Sequence, residues 1–106
     1  MERRRIPRAA LNWTVHVAAN GFKCPISTTT RDISRDGFYC LLRNPLTPGE
    51  RIECDIVVPT HSTRDSTDTA YLRCRAMVVR VEQTESETEF GVACRIEEYS
   101  IVHGAR

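Results

Sequence analysis

The chain has 106 residues and a formal charge of only +1, from 15 Lys and Arg against 14 Asp and Glu, with 41% hydrophobic residues. This length supports one domain with a small core, burying roughly two-thirds of the extended surface, and leaves little room for a second catalytic domain. Near-neutral charge argues against a whole-surface nucleic-acid binder, and no apolar run approaches the roughly 18 residues of a membrane helix, so a soluble cytoplasmic protein without membrane insertion is expected.

In chain order, the charge is concentrated first. Arg3, Arg4, Arg5 and Arg8 face only Glu2, a local +3, so the other 98 residues sum to −2. Pro7 fixes its own φ and disfavours helix at Ile6, which makes residues 1–10 a basic segment outside any strand. Trp13, Val15 and Val17 then alternate with Asn12, Thr14 and His16, predicting a first strand with the apolar set inward. Asn20-Gly21 reads as a hairpin turn, followed by a second strand from about Phe22 to Thr30. A third strand is predicted over Gly37 to Leu42, and Asn44, Pro45, Pro48 and Gly49 mark the next connection. Arg51 to Val58 give the cleanest alternation, with Ile52, Cys54, Ile56 and Val58 on one face.

Residues 59–69 are rich in Thr, Ser, Asp and His and predict a long exposed loop. A fifth strand spans Tyr71 to Val81, where the apolar phase changes from Leu72, Cys74, Ala76 and Val78 to Val79 and Val81. That change predicts a β-bulge around Met77 to Val79. A sixth strand covers Glu89 to Ile96, and Glu97 to His103 suit a short C-terminal helix or an irregular cap. Six antiparallel strands in so short a chain leave bare edges unless they close, so residues 11–106 are expected to form one all-β small barrel.

Cys24, Cys40, Cys54, Cys74 and Cys94 are odd in number and widely spaced, without the close pairs of a zinc or redox site. Each falls in phase with apolar neighbours, as reduced, buried thiols of a cytosolic protein do. His16, His61 and His103 lie on a presumed outer face, in the polar loop and near the C-terminus, with no nucleophile–base or metal spacing around them, so neither an enzyme nor a metal site is expected.

Chemistry collects instead at two places. The arginines offer planar forks suited to phosphate and to a guanine edge; on an extended segment Arg4 and Arg8 stand roughly 13 Å apart at their bases and still converge on one bulky ligand. The run Asp32-Ile33-Ser34-Arg35-Asp36-Gly37 supplies a carboxylate, a hydroxyl and a glycine. It reads either as an ordinary Asx or Ser turn with positive φ at Gly37, or as an edge that accepts from nucleobase N–H donors.

Arg4-Arg5-Ile6-Pro7-Arg8 followed by Asp32-Ile33-Ser34-Arg35-Asp36-Gly37 resembles the paired Arg-x-x-x-Arg and Asp/Asn-x-Ser-x-x-Gly signature of PilZ domains, bacterial receptors for cyclic di-GMP. Pro48-Gly49-Glu50 and Phe90-Gly91-Val92 are similar to later landmarks of that family. The resemblance implies a six-stranded PilZ-like barrel. It further implies that Arg4 and Arg8 grip phosphate and guanine, that Asp32 and Ser34 contact guanine or the adjacent phosphate, and that Gly37 lets the turn approach the ligand. Arg3, Arg5 and Arg35 are basic neighbours with no assigned place in the motif.

The implied function is a non-catalytic receptor that needs no cofactor and signals to an effector protein. Two alternatives compete: a ligand-independent docking module, and a single-stranded nucleic-acid barrel using outer arginines such as Arg73, Arg75 and Arg95 with Tyr39, Tyr71 and Tyr99. A monomer or weak homodimer is expected, with Val57, Val79 and Val81 as outward apolar positions.

Overall fold

The structure is a computed structural model that describes residues 12–19, 22–44, 46–58 and 69–104. Six strands form: β1 (Thr14–Ala18), β2 (Ile26–Ser34), β3 (Gly37–Leu42), β4 (Arg51–Val58), β5 (Thr69–Gln83) and β6 (Phe90–Gly104). They close in the order β1-β2-β3-β6-β5-β4, each pair antiparallel, as the six-stranded all-β expectation required. Closure is completed by the shortest strand. Val15 of β1 pairs with Thr28 on one side and Ile56 on the other, and Val15 and Val17 are fully buried.

Period-two patterning accounts for the core. Val15 and Val17, Phe38, Cys40 and Leu42, Ile52, Cys54 and Ile56, Cys74, Ala76 and Val78, and Val92 and Cys94 all point inward and form one cluster. Strands β3 and β4 have the bounds that alternation predicts. The turn before β4 follows from its residues: Pro48 and Gly49, the latter at φ 93°, occupy the centre, Glu50 N–H donates to Thr47 O at 2.9 Å, and the Glu50 carboxylate accepts from Thr47 N–H at 3.0 Å.

Four expectations need correction. Strand β2 begins and ends four residues later than predicted, at Ile26 and Ser34. Cys24 is exposed, because it lies in the bend before β2 and outside any paired strand; the other four thiols are buried. Gly37 does not have positive φ, which among the described residues is confined to Gly49.

The fourth correction concerns residues 97–103. They form no helix or cap but continue β6, pairing with the first half of β5 from Thr69 to Arg75. The physical reason is a second bulge: Arg75 pairs with Glu98 and Ala76 with Ile96, so Glu97 is the extra residue and the apolar phase resets there. Ion pairs across the ladder hold the acidic stretch extended, Arg51 Nε to Glu97 Oε1 at 3.0 Å and Arg75 Nη1 to Glu98 Oε1 at 3.8 Å. The bulge expected in β5 lies at Val79, between Val78 and Arg80.

The predicted loop 59–69 falls outside the described residues as far as position 68, as do Asn20-Gly21 and residues 1–11.

Candidate functional site

Asp32, Ser34, Arg35 and Gly37 come together at the tip of the β2–β3 hairpin. The segment was expected to be a loop between strands, yet Asp32 and Ser34 are strand residues. Ser34 pairs with Gly37, leaving Arg35 and Asp36 as a two-residue turn. Asp36 N–H donates to Ser34 Oγ at 3.2 Å, so the hydroxyl also shapes the turn. The turn is fastened to the barrel by Ile96 N–H, which donates to Asp36 O at 2.8 Å.

What turns Asp32 and Ser34 outward is a bulge. Thr30 pairs with Cys40 and Asp32 with Tyr39, which leaves Arg31 as an unpaired extra residue. Thr30 and Ile33, three apart, are both buried. An unbroken strand that buried Thr30 would send Asp32 and Ser34 into the core; the bulge swaps the faces, and a carboxylate and a hydroxyl two residues apart stand on the outside. Arg31 is exposed beside them and was not singled out from sequence. The signal was present in the odd spacing of Thr30 and Ile33, the same kind of phase change that marks β5.

Gly37 serves close packing. A Cβ at this position would overlap the Cys94 carbonyl oxygen of β6. The bare backbone pairs with Arg95, whose exposed side chain carries no ion pair among the described residues. Next along the outer surface, Tyr39 lies across Gly91 and donates to Glu82 Oε2 at 2.7 Å. Partial burial and the Glu82 hydrogen bond push the phenol above its ordinary value, and the same hydrogen bond, with Arg80, holds Glu82 below the usual carboxylate range.

Arg3, Arg4, Arg5 and Arg8 lie outside the described residues. The chain that leads from them is nonetheless pinned beside the hairpin. Asn12 Nδ2 donates to Thr30 O at 2.8 Å, Trp13 N–H donates to Thr30 Oγ1 at 3.0 Å, and Thr30 N–H donates to Trp13 O at 2.8 Å. Three hydrogen bonds thus converge on the residue that precedes the bulge.

Elsewhere, a groove of about 520 Å³ is lined by residues of β1, β4, β5 and β6, including Glu53, Asp55, Arg73 and Arg75, and contains none of the hairpin residues. Its charges largely compensate one another: Arg73 is bidentate to Asp55 at 3.0 and 3.3 Å, and Arg75 faces Glu98. That pairing removes two of the three arginines on which a nucleic-acid surface would depend. Phe38 is a core residue, Trp13 and Phe22 are half-buried against the core, and of the three tyrosines Tyr39 and Tyr71 are half-buried, which leaves Tyr99 as the largely exposed stacking platform among them. Among the described residues no group of three or more His, Cys, Asp or Glu side chains is arranged to hold a metal ion, and no helix is long and apolar enough to cross a membrane.

A six-stranded closed antiparallel barrel with an outward Asp-x-Ser hairpin and a lead pinned at Thr30 defines a small all-β barrel domain. The family model of the PilZ domain matches residues 2–103, and the chain belongs to that family. PilZ domains are non-catalytic, and the family typically binds cyclic di-GMP. Among solved structures, the chain is similar to the Bacillus subtilis inhibitor of motility MotI/DgrA, with a TM-score of 0.75 at 20% identity over 94% of this chain and 45% of that one. It is also similar to the PilZ domain of YcgR from Escherichia coli with c-di-GMP, with a TM-score of 0.65 at 14% identity over 90% of this chain and 78% of that one. The chain therefore spans less than half the length of MotI/DgrA. No curated protein matches it.

Proposed function

We propose that this chain is a cytoplasmic receptor domain for cyclic di-GMP, in which residues 1–10 grip the ligand and the barrel of residues 11–106, with its loop 59–69, presents the hairpin that recognises it. In this reading Arg4 and Arg8 hold phosphate and stack on or fork to guanine, Asp32 accepts from guanine N–H donors, Ser34 reaches the base or adjacent phosphate, and Gly37 keeps the surface low. Arg3, Arg5 and Arg35 add field around the anion.

The observation that carries the reading is the pinning of Asn12 and Trp13 to Thr30, two residues before Asp32. Arg8 stands four positions before Asn12, a contour of at most about 14 Å, and this short lead supports a site shared by the arginine segment and the Asp32 and Ser34 face. Ligand binding orders the arginine segment over the hairpin, at an entropic cost of about 1–2 kcal/mol per residue that charge-assisted hydrogen bonds must exceed. The closed segment then forms a surface that an effector protein reads.

Calorimetric titration with cyclic di-GMP, with GMP and cyclic di-AMP as controls, tests this. Selective binding is expected, weakened at least about tenfold (~1.4 kcal/mol) by Arg8→Ala and by Asp32→Ala, with far-UV dichroism unchanged. A folded sample that takes up no dinucleotide would refute the assignment and favour a ligand-independent docking module.

A further inference from the structure

Strand β6 has 15 residues, more than twice what its partner β3, with six, requires. Gly37 to Leu42 pair with residues 90–95 only, and Asp36 O takes the next amide, Ile96 N–H. Beyond that point β6 runs on to Gly104 with β5 on one side and, among the described residues, no strand on the other. Tyr99 and Ile101 of this segment are 60% and 59% exposed, the most exposed large apolar side chains described. A strand edge of this kind is a template for pairing with another strand.

The register shows which backbone groups face outward. Ile96 directs its N–H to the hairpin turn and so away from its β5 partner Ala76. Alternation along β5 then makes Arg75 and Arg73 the residues hydrogen-bonded to Glu98 and Ser100, and turns the amides and carbonyls of their neighbours' partners, Tyr99, Ile101 and His103, to the open edge. A second β6 placed antiparallel on a two-fold axis through Ser100 meets this edge in phase. Tyr99 and Ile101′ exchange both backbone hydrogen bonds, as do Ile101 and Tyr99′, and Ser100 faces Ser100′ at the non-bonded position between them.

The side chains agree with the backbone. In that register each exposed Tyr99 packs beside an exposed Ile101′, Glu98 meets Val102′, and Glu97 meets His103′. No like charges are opposed, and the only acidic residues of the segment fall opposite an apolar residue and a histidine. In that register Gly104′ falls opposite Ile96, whose N–H is taken by Asp36 O, so the shared ladder ends where Glu97 meets His103′ and the β2–β3 turn marks its limit.

We infer that this face is a self-association surface: two copies join through residues 97–103 of β6 into a continuous sheet β5-β6-β6′-β5′ with two-fold symmetry. The contact is isologous, so it closes at a dimer and does not propagate into a fibre. It makes no use of the arginine segment and is independent of cyclic di-GMP binding.

Sedimentation equilibrium of the full chain without ligand, from about 1 μM to about 1 mM, reads the association directly. The weight-average mass should rise from one 12.1 kDa protomer towards twice that value. Ile101→Pro removes an N–H that points away from β5, so it should leave the dichroism of the barrel intact and hold the mass at one protomer throughout. The register is tested in a Cys24→Ser background. Ser100→Cys should cross-link to itself under mild oxidation by glutathione disulfide, and Glu98→Cys, about 13 Å from its own copy, should not. A protomer mass at the highest concentration, association undiminished by Ile101→Pro, or equal cross-linking at both cysteine positions would each overturn the inference.

Discussion

A single methyl group separates two explanations of the motif glycine. If Gly37 were there to bend the turn, alanine would be tolerated wherever φ is negative, and at Gly37 it is. The obstacle is the Cys94 carbonyl oxygen, which a Cβ would overlap. Gly37→Ala is therefore expected to destabilise the ligand-free domain by about 1–3 kcal/mol, the usual cost of forcing atoms into a packed site. Ser34→Ala should cost no more than about 1 kcal/mol, for the one exposed hydrogen bond to Asp36 N–H. Urea denaturation of both variants decides between the two accounts, and equal, small losses would show that the strand contact relaxes. The identity of the glycine was legible in the sequence as part of a motif, but its reason was not, since that reason belongs to the pairing of β3 with a strand more than 50 residues further on.

At the level of the strands, regular patterning was readable and interruptions were not. Residues Arg51–Val58 alternate without a break, and β4 has those bounds. Strand β2 was misplaced because its apolar phase changes at Arg31: Thr30 and Ile33 both point inward, and a strict period of two cannot connect them. Strand β6 was cut short at Ile96 for the same reason, one residue before the bulge at Glu97. The bulge at Arg31 depends on residue count and not on the guanidinium. Deleting Arg31 should turn either Asp32 and Ser34 or Thr30 to the wrong face and cost several kcal/mol, the scale of burying unpaired polar groups. Arg31→Ala should melt within about 0.5 kcal/mol of the parent. If the deletion variant unfolds no more easily than Arg31→Ala, the bulge is not what orients the hairpin.

For the molecule as a whole, the core couples four strands through thiols. Cys40 of β3, Cys54 of β4, Cys74 of β5 and Cys94 of β6 are buried, and Cys54 stands directly opposite Cys74. Burial pushes Cys40 up to about 12 from an ordinary 9.0 and raises Cys94, while the hydrogen bond between Cys54 and Cys74 raises the first and lowers the second. Below pH about 9 folded and unfolded states both keep the Cys40 and Cys94 protons. Above it the unfolded chain releases protons that the folded barrel retains, so stability declines with rising pH, by about 1.4 kcal/mol per unit from Cys40 alone, until its folded value is reached. Urea midpoints should fall between pH 8 and about 10.5, and a thiol reagent at pH 7 should titrate Cys24 at once and the other four only on unfolding. A flat midpoint across that range would refute the coupling. Closure itself was legible in the sequence, from the number of strands and the shortness of the chain.

The three hydrogen bonds that join Asn12 and Trp13 to Thr30 have a consequence for how such a domain diverges. Arg8 and Asp32 are 24 positions apart in sequence, yet Arg8 stands only four positions before Asn12, which is joined to Thr30 two residues before Asp32. The connection from β1 to β2 leaves from Ala18 and returns at Ile26, at the far end of both strands from the pin. Insertions and deletions there lengthen or shorten a remote pole of the barrel and leave the hydrogen bonds between Asn12, Trp13 and Thr30 in place, so the length of that connection can drift without moving the β2–β3 hairpin.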